Sequence, residues 1–222
     1  RFATASAQIA QDSPDGRLIV KAINDAVTIS LNNVPKFEGT TLVALDSSGS
    51  MTSVPYHNGK GAPKQSPAEI GALFAAVLTK TNNADFLTFD GAARYVGLSL
   101  SDSVLSIRDT IVRNCLGGST DFRTIFDTAK TKYDRVIILS DMQAWVGYHA
   151  PTAAYTNYCI RHKAKPKIYA FDLTGNGTSQ FPTDGSNVYQ LAGFSDKTMD
   201  LLQVLEANPS ALINQIKEIN LI

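Results

Sequence analysis

Three short stretches of this chain hold the side chains best suited to chemistry. Residues 42–51, LVALDSSGSM, run from apolar residues into Asp46 and then present Ser48 and Ser50 at alternate positions. Residues 117–121, GGSTD, bring Thr120 out of a glycine pair with Ser119 and Asp121 as its neighbours, and VIILSD ends on Ser140 and Asp141. Alone, Asp46-x-Ser48-x-Ser50 is also what an ordinary strand-to-helix turn prefers. Together the three stretches offer two carboxylates and three hydroxyls, with no imidazole or thiolate among them. Hard divalent cations select such oxygen donors; Mg²⁺ wants an octahedral shell and usually keeps waters, whereas Ca²⁺ takes more and looser oxygens. Zinc and softer metals do not suit the set. At most five protein ligands leave a coordination position open, so the cation would act as a receptor for a carboxylate or phosphate from a partner.

Stretches so far apart in sequence meet only if the elements before them end on one edge. TTLVALD (40–46) is short, β-branched and apolar without alternation, as expected of a strand covered on both faces. DRVIILSD (134–141) and PKIYAFDL (166–173) repeat that pattern, while DFLTFD (85–90) and ARYVGLS (93–99) read as strands joined by a tight turn. NVYQLAG (187–193) supplies a last strand. Helices are expected over 17–32, 66–80, 102–114, 121–133, 151–162, 196–206 and 209–219. The helix from Ser66 opens with a capping box to Glu69 and Pro67 at its first position. In the first helix, Leu18, Ile19, Ala22, Ile23, Ala26, Val27 and Ser30 form the apolar stripe. Alternating strands and helices predict an α/β fold, a mostly parallel central sheet with helices on both faces. Ligands of such sheets sit beyond the carboxyl ends of the strands, where Asp46, Asp141 and Asp172 fall.

Bulk composition excludes several classes. The chain has 20 basic and 20 acidic residues, so no global field draws it to nucleic acid or acidic lipid. Cys115 and Cys159 stand apart without metal-type spacing, which argues for a reducing, cytoplasmic setting rather than a disulfide framework. No apolar run is long enough to span a membrane. Because the chain begins on Arg1 without an initiator methionine, we expect a piece of a longer protein. Neither a nucleophile elbow, a phosphate-binding loop nor a serine–histidine pairing is present, so the expectation is a monomeric binding module and not an enzyme. Asp172 reads as a strand-end cap, Asp121 as a helix cap or an outer support for the cation site, and Asp90 as a lesser candidate for the same rim. Tyr56, His57, Lys60 and Lys64 lie in a polar loop that is either solvated or touches RNA or a partner. Trp145 and Tyr148 either pack on a helix or edge the metal face.

Asp46-Ser47-Ser48-Gly49-Ser50 after an apolar strand, Thr120 after Gly117-Gly118, and Asp141 after VIILS resemble the metal-ion-dependent adhesion site of the von Willebrand factor A domain family. The resemblance implies a Rossmann-like three-layer fold with the metal at its carboxyl-terminal edge. It also implies direct ligation by Ser48, Ser50 and Thr120, and direct or water-mediated ligation by Asp46 and Asp141. Ser119, between the glycines and Thr120, leaves open which hydroxyl faces the metal.

The flanks RFATASAQIA, FDGAARYV and GGSTDF, with the helix that leads into the site, are similar to the carboxyl-terminal half of Ro autoantigen (TROVE-module) ribonucleoproteins. This second resemblance implies a segment at 1–38 that is a remnant of, or link to, a helical-repeat ring, followed by an A-type domain at 39–222. It further implies Mg²⁺ (Mn²⁺ or Ca²⁺ in its place), small noncoding Y RNA as partner, and a part in RNA quality control. An adhesion or protein-assembly module that takes an acidic ligand through the metal, unrelated to RNA, is the alternative.

Overall fold

The strand that ends on Asp46 is the centre of the computed structural model, which describes residues 14–54, 65–144, 151–181, 187–193 and 196–208. β1 (Thr41–Asp46) is buried at every position. Parallel neighbours flank it: β2 (Asp85–Phe89), with Ala44 opposite Leu87, and β4 (Arg135–Ser140), with Ala44 opposite Ile138. The short β3 (Ala93–Tyr95) closes the β2 edge antiparallel, and β5 (Lys167–Asp172) and β6 (Val188–Ala192) extend the other side in parallel. The order β3-β2-β1-β4-β5-β6 reverses direction between β1 and β4. That is the switch point where an open sheet leaves a crevice beyond its strand ends.

Helices cover both faces. Val43 and Leu45 of β1 face a layer built from α1 (Pro14–Ser30), α3 (Pro67–Asn82), α4 (Val104–Arg113) and α7 (Asp196–Ala207). Leu42 and Ala44 face the opposite layer, α5 (Arg123–Thr128) and α6 (Pro151–His162). Each strand residue therefore buries its side chain under one layer or the other, which is why the strand sequence is apolar throughout. The one-turn helix α2 (Gly49–Thr52) follows β1 directly. α3 begins with the capping box expected of it: the Glu69 amide donates to Ser66 Oγ (3.2 Å) and the Ser66 amide to Glu69 Oε2 (2.7 Å).

Three expectations change. α1 buries only part of its expected stripe: Val27 is buried and Ile23 and Ala26 are partly so, joined by Val20, whereas Leu18 and Ile19 are 67% and 49% exposed. The helix docks along 20/23/27, and the residues that widened the predicted stripe lie outside this contact. α5 stops at Thr128 rather than reaching 133, because the Arg161 guanidinium takes the carbonyls of Phe126 (2.7 Å) and Ala129 (3.3 Å) that a continuing helix would use. β3 ends at Tyr95, short of the predicted 99. The predicted helix at 209–219, residues 1–13, Tyr56, His57, Lys60, Lys64, Trp145 and Tyr148 lie outside the described residues.

The amino-terminal edge of the sheet is tied down by a buried cation. Arg135, 5% exposed, donates through Nε and Nη2 to Glu206 (3.1 and 3.0 Å), through Nη1 to Thr41 Oγ1 (2.9 Å) and through Nη2 to Glu38 O (2.7 Å). Burial pushes the Glu206 carboxyl up, but Arg135 and the Tyr169 hydroxyl outweigh it and hold the group below its usual range. Phe37 lies under the same guanidinium at 4.8 Å, and its amide donates to Asn82 Oδ1 (2.8 Å). Residues just before β1 thus pack onto the sheet and helices of the domain. Among the described residues no helix is long and apolar enough to cross a membrane.

Candidate metal centre

The sheet delivers Asp46 and Asp141 to the same edge at the switch point, on adjacent strands. Asp46 is fully buried, and each of its oxygens already has a protein donor. The Ser48 amide donates to Oδ1 (2.9 Å), and the Ser140 hydroxyl donates to Oδ2 (2.6 Å). Ser140 Oγ in turn accepts from the Met142 amide (2.9 Å), so one hydroxyl couples β1 to the turn after β4. Ser48 and Ser50 present hydroxyls 3.2 Å apart, the first buried and the second exposed, so the pair runs from the interior to the surface.

The glycine loop is held against this turn by backbone bonds. The Gly49 amide donates to Gly118 O (2.9 Å), the Gly117 amide to Ser47 O (3.0 Å), and the Asp121 amide to Asp90 O (2.9 Å). Gly118 has φ 133, a region closed to most L-residues, so the backbone conformation, and not lack of room beside Asp90, calls for glycine here. Thr120 is 1% exposed in this fold, whereas Ser119 is exposed, with its hydroxyl over Gly91. The three predicted stretches therefore meet at one edge: the turn after β1 carries Ser48 and Ser50, the loop before α5 carries Thr120, and the end of β4 carries Asp141.

Burial is the main force on the acid at the centre. It pushes the Asp46 carboxyl up to about 6, against hydrogen bonds from Ser140 and Ser48, and the neighbouring Asp141 raises it further. Burial likewise pushes the nearby Cys115 thiol up to about 12, so it is held as the thiol. Among the described residues no cationic side chain is bonded to Asp46, and a second acid stands beside it; such a carboxyl is relieved of its charge by a proton or by a cation. Among the described residues no three His, Cys, Asp or Glu side chains gather to hold a metal. Any cation at this edge would draw on the hydroxyls of Ser48, Ser50 and Thr120 besides the two carboxylates. That oxygen set fits a hard divalent ion.

The remaining acids around the site are engaged. Asp90 accepts from the Ala92 amide (2.9 Å) and pairs with Arg94 (3.1 Å). Burial would raise the Asp121 carboxyl, but its bonds with Arg123 hold it below the usual carboxylate range. Asp121 does not cap α5 through its side chain as an ordinary N-cap, since Phe122 occupies that position; it receives the Arg123 amide instead (3.0 Å). Asp172 is the expected strand-end cap: its oxygens accept from the amides of Thr174 (3.2 Å), Gly175 (2.8 Å) and Gly177 (2.7 Å).

That cap shapes a support the sequence reading missed. The loop after β5 reaches across to the turn after β4: Asn176 Nδ2 donates to Asp141 O (3.0 Å), while Thr178 Oγ1 and Gln180 Nε2 donate to Met142 O (2.6 and 2.7 Å). Met142 itself has φ 57, an uncommon conformation for a non-glycine residue, at the point where the chain turns past Asp141. A cavity of about 230 Å³ opens beside it, bounded by Asp172, Thr178 and Gln190. The signal in the sequence was Asp172 followed by GNGTSQ, a capped turn rich in side-chain donors.

A family model described as the Ro60 vWA domain matches residues 40–205. The chain belongs to the Ro60 vWA domain family. Among relatives of this Ro60 vWA chain, the RNA-binding protein RO60 of Deinococcus radiodurans is 26% identical over 180 residues, covering 79% of this chain and 33% of that protein. The chain thus spans about a third of the length of this curated relative. The crystal structure of the Deinococcus radiodurans RO (RSR) protein has the same fold, with a TM-score of 0.64 at 22% identity over 86% of this chain and 38% of that one.

Proposed function

We propose that this Ro60 vWA domain is a metal-binding module of a Ro-like ribonucleoprotein, in which it serves small noncoding (Y) RNA binding and RNA quality control in the cytoplasm. The observation that carries the metal part is the convergence of Asp46, Ser48, Ser50, Thr120 and Asp141 on one sheet edge around a buried, cation-poor carboxylate. Mg²⁺ is the ion that this reading favours, with Mn²⁺ or Ca²⁺ able to replace it. When bound, the ion supplies an electrophilic position for an acidic or phosphate-bearing ligand. Ser140 and the Ser48 amide orient Asp46 for it, and Asn176 fixes the backbone of Asp141. Kinship with an RNA-binding protein supports the RNA part.

The reading is one of binding, not turnover. Asp90, Asp121 and Asp172 are each committed to an arginine or to backbone amides, which leaves none of these three free as a general base. A protein ligand at the metal, the second reading, is favoured by Leu116 and Val54. Leu116 precedes Gly117 and Val54 follows the turn at Thr52, and they are 69% and 53% exposed. Calorimetric titration with Mg²⁺, Mn²⁺ and Ca²⁺ tests the centre. The wild type is expected to bind and Asp141→Ala to lose most of the heat; identical titrations of the two proteins would remove the assignment.

A further inference from the structure

The net charge of zero hides an uneven distribution. Residues 161–167, RHKAKPK, and 129–134, AKTKYD, are the basic stretches, and the fold lays them side by side. Arg161 donates to the carbonyls of Phe126 and Ala129, and His162 Nε2 lies 3.2 Å from Ala129 O. The Tyr158 hydroxyl donates to Thr131 O (3.0 Å) and accepts from the Tyr133 amide (2.7 Å). One stretch leads into β4 and the other into β5, so both lie at the amino-terminal edge of the sheet, opposite the metal centre.

Lys130, Lys132, Arg161, Lys163 and Lys165 are all exposed there. Among the described residues none of the five is in an ion pair. Two acids of this edge are engaged within the fold, and the charge of Lys132 helps to hold the Asp134 carboxyl below its usual range after the Thr40 hydrogen bonds. Asp134 accepts from the Thr40 amide and hydroxyl (2.7 and 3.0 Å), and Asp85 accepts from the Tyr133 hydroxyl (2.5 Å).

Helix physics accounts for part of the cluster, since Arg161 and His162 fall in the last turn of α6, where cations are favoured. It does not account for the four lysines. Lys163 adopts φ 47 at the end of α6, a conformation that glycine takes without strain, so a long cationic side chain stands where the backbone alone would favour none. Lys130 sits 5.1 Å over the Tyr95 ring, which holds its ammonium at the surface.

We propose that this edge is a phosphate-backbone site for RNA, with Lys130, Lys132, Lys163 and Lys165 as its cations and Arg161 as a fixed fifth. A linear polyanion fits better than a lipid surface, because the patch has a row of point charges and, among the described residues, only Ile160 as an exposed large apolar neighbour. The inference rests on the RNA reading above, but it assigns the contact to a surface separate from the metal.

The test uses the whole chain, a labelled single-stranded RNA of about 30 nucleotides, and the quadruple variant Lys130→Glu, Lys132→Glu, Lys163→Glu, Lys165→Glu, whose folding is checked by its melting curve. With four phosphates neutralised, the logarithmic salt slope is about −2.8, so wild-type affinity falls about 50-fold between 50 and 200 mM salt. The variant should bind at least 10-fold more weakly at low salt with a nearly flat slope. Equal binding by the wild type and a folded quadruple variant overturns this site and leaves the RNA reading standing. No binding by the wild type at low salt overturns both for this chain, and binding to phosphatidylserine vesicles without binding to RNA overturns the choice of ligand. If the quadruple variant does not fold, the two pairs Lys130→Glu, Lys132→Glu and Lys163→Glu, Lys165→Glu are read separately, each expected to halve the slope.

Discussion

Replacing Asp46 with asparagine should make the metal-free domain more stable at neutral pH. Burial holds the Asp46 carboxyl at about 6 instead of its usual 3.8. At about 1.4 kcal/mol for each tenfold change in acidity, ionising it costs the folded state about 3 kcal/mol more than the unfolded one. The native state binds the extra proton between 3.8 and about 6, so wild-type stability falls as pH rises through that window and then levels off. The amide of Asp46→Asn would carry no charge, but it sets a donor nitrogen in place of one acceptor oxygen, facing either Ser140 Oγ or the Ser48 amide. Re-forming that contact costs about 1 kcal/mol. The expected net is therefore a gain of about 2 kcal/mol at about pH 7.5 that shrinks as pH falls from about 6 and becomes a loss of about 1 kcal/mol below about pH 4. Urea unfolding in chelator at both pH values measures it. A variant no more stable than the wild type at the higher pH, or one with an equal gain at both, refutes the reasoning. Added Mg²⁺ should then stabilise the wild type by RT ln(1 + [L]/Kd) and leave Asp46→Asn nearly unmoved.

Three other changes follow from contacts already described. Asn176→Ala should lower Mg²⁺ affinity about 10-fold in calorimetry while costing only about 1 kcal/mol in unfolding, since it frees the Asp141 backbone without touching a ligand oxygen. Glu206→Gln should cost about 2 kcal/mol at neutral pH, because it leaves Arg135 buried with its charge uncompensated. As the Glu206 carboxyl titrates below its usual 4.5, its contribution is complete above that value and is lost as pH falls through the folded one, so the variant should show a flatter acid limb in pH-dependent melting. Gly71→Val should destabilise by about 1–3 kcal/mol in urea, because a β-carbon there would stand 2.6 Å from Leu45 Cδ1 and 3.0 Å from Leu173 Cδ1.

Much of this architecture was legible because β1, β4 and β5 are covered on both faces and so show unbroken apolar runs that stop on an aspartate. The strand ends, the sheet class and the capping box of α3 all follow from that local chemistry. What escaped were features set by partners distant in sequence. α5 is cut short by Arg161, a residue of another helix, and the docking face of α1 is chosen by the neighbours it meets. At the site, the donors to Asp46 and the convergence of Thr120 and Asp141 lie on elements that the strand pattern could order. Ser140 was visible only as the residue before Asp141, and nothing local marks it as the hydrogen-bond partner of Asp46. Nor does anything local show what the loop 174–180 holds: its amides satisfy Asp172 and its side chains grip the turn at Met142.

β4 joins the two surfaces that matter most. Its carboxyl end leads into Asp141, and its amino end follows directly on Lys130 and Lys132, with six residues of buried strand between. At about 3.3 Å per residue that strand is a rigid ruler of roughly 20 Å. No small ligand can touch both ends at once. Any RNA that did so would have to run over the outside of a helical layer, so the two ends of the domain would respond separately to short RNA and together only to one long enough to wrap it.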